Sequence, residues 1–164
     1  MTPFTDIYSL AKITIIDYKV DSLIKIDYEA FLTYFRSLLT VGIPEFVGCL
    51  KSLDYTTREE VENYIDKDGN MAQRNVVNWY FIEDLDIHEK GILAKIVVLK
   101  WWESKIQDVV AFQPHLSVKD FKQLQESQSL KQKSEYQDKL RENLSKAIGD
   151  YQLEHLSSLP FFGG

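Results

Sequence analysis

DLDIHEKGILAKIVVLKWWESKIQ, residues Asp84 to Gln107, is the stretch whose reading decides the fold. Asp86 is placed to cap a helix, and Glu89 three residues on completes a capping box, in which each side chain bonds the other residue's backbone N–H. Beyond it, Ile92, Leu93, Ala94, Ile96, Val97, Val98, Leu99, Trp101 and Trp102 cover most of the helix circumference, the pattern of a helix packed on several sides. From 86 to 107 such a helix spans roughly 33 Å. A membrane span has that length, but Lys90, Lys95, Lys100 and Glu103 interrupt this one too often for a bilayer core. The stretch therefore predicts the buried central helix, about 86–107, of a mainly α domain.

The composition supports this reading. A chain of 164 residues holds one domain with a real core. With 45% hydrophobic and 27% charged residues it is not a disordered chain. A formal net charge of -6 argues against nonspecific nucleic-acid binding through a basic surface, though an acidic wall past which duplex DNA slides is compatible with it. Cys49 is the single cysteine, so no intrachain disulfide is expected. MTPFTDIYSL lacks a basic region followed by an apolar core, so folding in a cytoplasm is expected.

Outward from the central stretch, Thr2 and Pro3 predict an N-cap and a first helical residue, and Phe4, Ile7, Tyr8, Ala11 and Ile15 carry a helix to about Ile16. Asp17 to Ile26 reads as a polar connection. Asp27 caps a second helix with a stripe of Phe31, Leu32, Phe35, Leu38 and Leu39, ending at Gly42 as a C′ glycine before an extended Ile43-Pro44 step. Asp68-Gly69-Asn70 is a tight-turn signal between Val61–Ile65 and Val76–Ile82, which predicts a β-hairpin over about 60–82. Thr56 to Glu60 could instead start a short helix. After the central helix, Val109 to Leu116 with Pro114 reads as a loop. Ser117 and Asp120 then open a long C-terminal helix with a sparse stripe of Phe121, Leu124, Leu130, Leu140, Leu144, Ala147, Ile148 and Tyr151, with a possible break at Ser127–Ser129. The expected organisation is a single helical domain, 1–156, with a hairpin insertion at 50–83 and an extended tail at 157–164.

No residue set for catalysis, cofactor binding or metal binding stands out, and no enzyme is expected. His88, His115 and His155 lie apart. His88-Glu89 fails the H-E-x-x-H zinc pattern because position 92 is Ile, which leaves exposed or capping histidines. Cys49 reads as a small buried hydrophobe rather than a nucleophile. With Gly69 in the sixth place of a calcium loop, Tyr64 and Asn75 stand where carboxylates are required, so Asp66 to Gly69 is a turn. Neither phosphate-loop nor dinucleotide glycine pattern is present. Two features keep two readings each: Trp101-Trp102 either fill the core or face a partner, and the tail through Leu159, Phe161 and Phe162 either frays or hooks another protein.

The chain resembles a family of small virion proteins, the head–tail connector or adaptor proteins of tailed bacteriophages of Gram-positive hosts. Three segments carry the resemblance: Thr2-Pro3-Phe4-Thr5-Asp6-Ile7-Tyr8 with the second helix ending near Ile43-Pro44-Glu45-Phe46; Asp84 through Ala94 to Trp101; and Lys119-Asp120-Phe121-Lys122 followed by Ser127-Gln128-Ser129-Leu130. It implies a mostly helical domain with one hairpin, in a homo-oligomeric ring of about twelve copies. That ring would sit in the virion neck under the portal protein and above the next neck or tail protein, with DNA only passing through the lumen and no membrane partner. It also implies that Tyr151, Leu156, Leu159, Phe161 and Phe162 contact the portal. Tyr64, Lys67, Asp68, Asn70 and Trp79 of the hairpin would contact a neighbouring subunit. Alternatives are another phage tail-completion or assembly protein, or a bacterial adaptor domain that dimerises through its C-terminal helix.

Overall fold

The structure, a computed structural model, describes residues 1–65, 70–112 and 120–156. In chain order these form β1 (Thr2–Pro3), α1 (Phe4–Thr14), α2 (Tyr18–Ile26), α3 (Tyr28–Gly42), a 3-10 turn (Ile43–Glu45), β2 (Tyr55–Ile65), β3 (Met71–Phe81), α4 (Ile87–Phe112) and α5 (Asp120–Glu154). The protein is mainly α with a small antiparallel sheet of order β1-β3-β2.

α4 is the central helix. Its capping box closes in both directions: the Glu89 N–H donates to Asp86 Oδ1 at 2.9 Å, and the Asp86 N–H donates to Glu89 Oε2 at 2.8 Å. Ile92, Leu93, Ala94, Ile96, Val97, Val98, Leu99 and Trp101 are all buried, because α1, α3 and α5 pack around different sides of the helix. Burying each of the Val, Leu and Ile side chains among them stabilises the fold by about 1.5–3 kcal/mol. No helix among the described residues is long and apolar enough to cross a membrane. Both tryptophans are used inside the chain. Trp101 is buried, its ring 5.5 Å from that of Trp102. The Trp102 Nε1–H donates to the Lys133 carbonyl at 3.0 Å, and its ring meets Tyr136 edge-on at 5.1 Å.

Several local expectations are corrected. Thr2 and Pro3 do not start α1. They form β1, paired with Phe81 and Tyr80. Thr2 is fully buried, and its Oγ1 accepts the Leu85 N–H at 2.7 Å, so the chain start is tied to the loop ahead of α4. α1 stops at Thr14, because Ile15 is extended and turns into the core while Ile16 is left 92% exposed. Asp17 to Ile26 is not a connection. Asp17 caps α2 by accepting the Lys19 N–H at 2.8 Å, and Val20 anchors that helix in the core.

Asp27 caps α3 as expected, accepting the Ala30 N–H at 2.9 Å. Gly42 is not a C′ residue: with φ -85 and ψ -22 it is still helical, and the chain runs on through Ile43-Pro44 as a 3-10 turn rather than an extended step. Glycine is required there because a Cβ would collide with Ile96 Cγ2 of α4. The hairpin is longer than expected, its first strand starting at Tyr55, so Thr56 to Glu60 is strand and not helix. α4 continues to Phe112, past the expected loop start at Val109, and α5 runs unbroken through 127–129. Pro114, His115 and Ser117 lie outside the described residues, as do the side chains of Phe121, Leu124 and Leu130.

Candidate interaction surfaces

Among the described residues, the β2–β3 ribbon and the foot of α5 both expose apolar side chains. The ribbon's base is part of the core. Phe4 at the start of α1 lies 4.6 Å from Phe81, 5.4 Å from Tyr55 and 6.0 Å from Trp79, ring centroid to ring centroid. Aromatic pairs at such spacings add about 0.5–1.5 kcal/mol beyond area burial. Arg36 of α3 places its guanidinium 4.9 Å from the Trp79 ring. Trp79, expected to face a neighbouring subunit, is thus a half-buried anchor of its own chain.

Past Trp79 the ribbon leaves this support. One of its faces carries a polar lattice. Glu60 accepts from the Tyr80 hydroxyl at 2.7 Å and from Asn78 at 2.8 Å, which together hold its carboxyl below the usual range. Arg74 donates to Glu62 at 2.8 Å and reaches Glu29 of α3 at 3.4 Å. Between the ribbon and α3 runs a groove of about 340 Å³ whose apolar lining includes Phe4, Tyr8, Leu32, Val61, Val76 and Val77. Val61 and Val77 nonetheless remain 62% and 55% exposed, and Met71 toward the far end is 76% exposed. Asn70 is exposed at the far end. Lys67 and Asp68, and the Asp66 to Gly69 turn, lie outside the described residues, as does the side chain of Tyr64.

The foot of α5 is held by Glu89, which is 1% exposed. Its Oε1 accepts the Tyr151 hydroxyl at 2.8 Å, while Oε2 accepts Lys51 Nζ at 2.9 Å as well as the Asp86 N–H. The Tyr151 oxygen in turn accepts the Leu50 N–H at 3.2 Å. Burial, reinforced by the Glu89 carboxylate, pushes the Tyr151 hydroxyl pKa far above its ordinary value, and the bond to Glu89 raises that of Lys51. The clasp joins α4, α5 and the loop between the 3-10 turn and β2. Tyr151, expected to contact the portal, is buried in it and offers no docking surface. Leu156 is exposed, as are Val47, Leu50 and Leu153, and Val47 is fixed beside α5 by the Gln152 amide, which donates to its carbonyl at 2.7 Å. Leu159, Phe161 and Phe162 lie outside the described residues. The second role of Glu89 was not readable beforehand. Its capping spacing marks the bond to Asp86, but nothing local points to Tyr151, 62 residues on.

Beside the foot, Lys100 bridges Glu45 and Glu103, and Arg141 reaches Glu103 at 2.8 Å. Burial pulls the Glu103 carboxyl upward, but the bonds from Arg141 and Lys100 outweigh it and hold the pKa below the usual range. A depressed carboxylate contributes stability that is fully present above its unfolded pKa of about 4.3 and lost as pH falls through the folded value. Urea unfolding midpoints are therefore expected to fall as pH drops below about 4.3, and Glu103→Gln to make that acid limb shallower. An unchanged acid limb in the variant would show that the bridge carries none of the dependence.

Cys49 is half-buried, and burial raises its thiol pKa, the opposite of an activated nucleophile. His88 is exposed at the start of α4, and His155 places Nδ1 2.9 Å from the Tyr151 carbonyl at the end of α5. Among the described residues no three His, Cys, Asp or Glu side chains are grouped to hold a metal ion. The fold and its surfaces define a mainly α domain with a long β-ribbon and exposed apolar residues at the foot of α5. No protein-family model, curated protein or solved structure matches the chain.

Proposed function

We propose that this protein is a structural virion subunit, a head–tail connector or adaptor that assembles as a ring under a phage portal and extends the DNA channel toward the tail. The observation that carries the reading is the ribbon. Two eleven-residue strands run out from a base anchored at Phe4 and Phe81 and present Val61, Val77 and Met71 to solvent. A two-stranded hairpin is marginal alone in water, so an arm of this length is stabilised by something it docks on. The sequence resemblance supplies the setting, and the acidic net charge suits a wall along which DNA passes. In this reading the ribbon meets neighbouring copies. The portal contact is made by Leu156, the exposed apolar residues around it and the tail through Leu159, Phe161 and Phe162. The chain's work is assembly rather than catalysis.

Immunogold labelling of purified particles, with an antibody raised against this chain, tests the proposal. Label at the junction of capsid and tail is the expected result. Label at the tail tip would keep a virion role and overturn the connector; free protein in the lysate with unlabelled particles would overturn both. Deleting Leu159 to Gly164 is expected to abolish portal binding, and binding that survives would remove the tail from the contact.

A further inference from the structure

The two edges of the ribbon differ. β1 covers β3 only at Tyr80 and Phe81, and β2 lies on the other side of β3, so among the described residues each ribbon strand has an edge without a neighbouring strand. The hydrogen-bonding phase can be read from one bond. The Ile82 N–H donates to the Asp54 carbonyl at 2.9 Å, one step beyond the Tyr55–Phe81 pair. In an antiparallel ladder, alternate residues exchange both bonds with the same partner. Tyr80, Asn78, Val76 and Arg74 therefore bond β2, and the N–H and C=O of Val77, Asn75 and Gln73 point away from it. The same phase turns Phe81 toward Thr2 and leaves Pro3, which has no N–H, at a position that needs none. No described residue answers the outward groups of Val77, Asn75 and Gln73.

Exposed edges are usually blunted by charge, proline or a bulge. β2 (YTTREEVENYI) is guarded in this way, with Arg58, Glu59, Glu60 and Glu62, whereas β3 (MAQRNVVNWYF) carries Arg74 alone. Two β2 edges brought together would oppose carboxylates, and two β3 edges would oppose guanidinium groups. A β3 edge against the β2 edge of another copy sets unlike charges side by side. Its antiparallel sense repeats the ribbon's own pairing. Val61 and Val77, diagonal neighbours on one face and each more than half exposed, would then line one continuous apolar strip across copies.

We infer that the open edge of β3 is a β-addition site for β2 of a second copy of this chain. The contact is head-to-tail, so it propagates from copy to copy and either closes a ring or grows. This inference rests on the self-assembling reading above and specifies its chemistry.

Sedimentation velocity over a concentration series, with residue-resolved amide hydrogen exchange on the dilute and assembled protein, tests it. Asn75→Pro is the informative variant: the Asn75 N–H points outward, so proline there removes a bond to the neighbour but none within the ribbon. The wild type is expected to form multi-copy species in which the Gln73, Asn75 and Val77 amides slow about tenfold or more relative to the dilute protein. Asn75→Pro is expected to remain a single copy with a wild-type circular dichroism spectrum. Wild-type assemblies whose outward amides exchange as in the dilute protein, or a folded Asn75→Pro that assembles normally, would overturn edge pairing and leave self-assembly standing. A wild type that stays single-copy at every concentration would overturn both. Slowed outward amides with no label at the particle neck would keep the pairing and remove the connector.

Discussion

Replacing Glu89 by alanine is expected to lower the unfolding free energy by about 3 kcal/mol. Three bonds converge on this carboxylate, from the Asp86 N–H, Lys51 Nζ and the Tyr151 hydroxyl. Alanine opens the capping box and leaves a buried tyrosine hydroxyl without an acceptor. A fully buried ion pair broken on one side costs about 3–5 kcal/mol. The lower end applies because Lys51 is 33% exposed and keeps the Asp84 carbonyl at 2.9 Å. Urea unfolding at neutral pH checks the value. If the clasp acts as one unit, Tyr151→Phe costs less in the Glu89→Ala background than in the wild type. Equal costs in the two backgrounds would show that the residues act independently, and a loss below about 1 kcal/mol would reduce Glu89 to an ordinary cap.

Gly42→Val is expected to destabilise by about 2–3 kcal/mol, although leaving glycine inside a helix ordinarily gains some stability. Collision decides the sign. Gly42 sits where α3 crosses α4, and its missing Cβ makes room for Ile96 Cγ2. Ile96→Ala alone costs about 2–4 kcal/mol through the cavity it opens. The double variant should cost less than the sum by about 0.5–3 kcal/mol, since each change relieves the other. Were the glycine needed for a left-handed backbone, the two costs would simply add. With φ -85 it is not.

The Gly42 case shows how the sequence was legible here and where it was not. Its position after an apolar stripe and before Ile-Pro marks the end of a helix correctly, but the reason it must be glycine lies in a helix that begins 45 residues later. Thr2-Pro3 has the same character. As a local signal it starts a helix, and it becomes a strand because Phe81 and Leu85 offer backbone partners that only the folded chain brings near. α2 escaped notice because a nine-residue helix shows too few turns for its apolar residues to look periodic.

By itself, then, the sequence determined what local chemistry controls: the capped central helix, the Asp27 cap, the existence of the hairpin and the long C-terminal helix. Each is written in residues within a few positions of one another, where side chains reach their own backbone and apolar spacing sets which face is buried. Only the tertiary structure decided that Tyr151 is a buried partner of Glu89, that Trp79 packs on Phe4 and Arg36 of its own chain, and that β3 keeps, among the described residues, a nearly uncharged edge with no strand on it. These depend on which distant segments meet, and no periodicity in a single sequence encodes the partner of a contact formed across the fold.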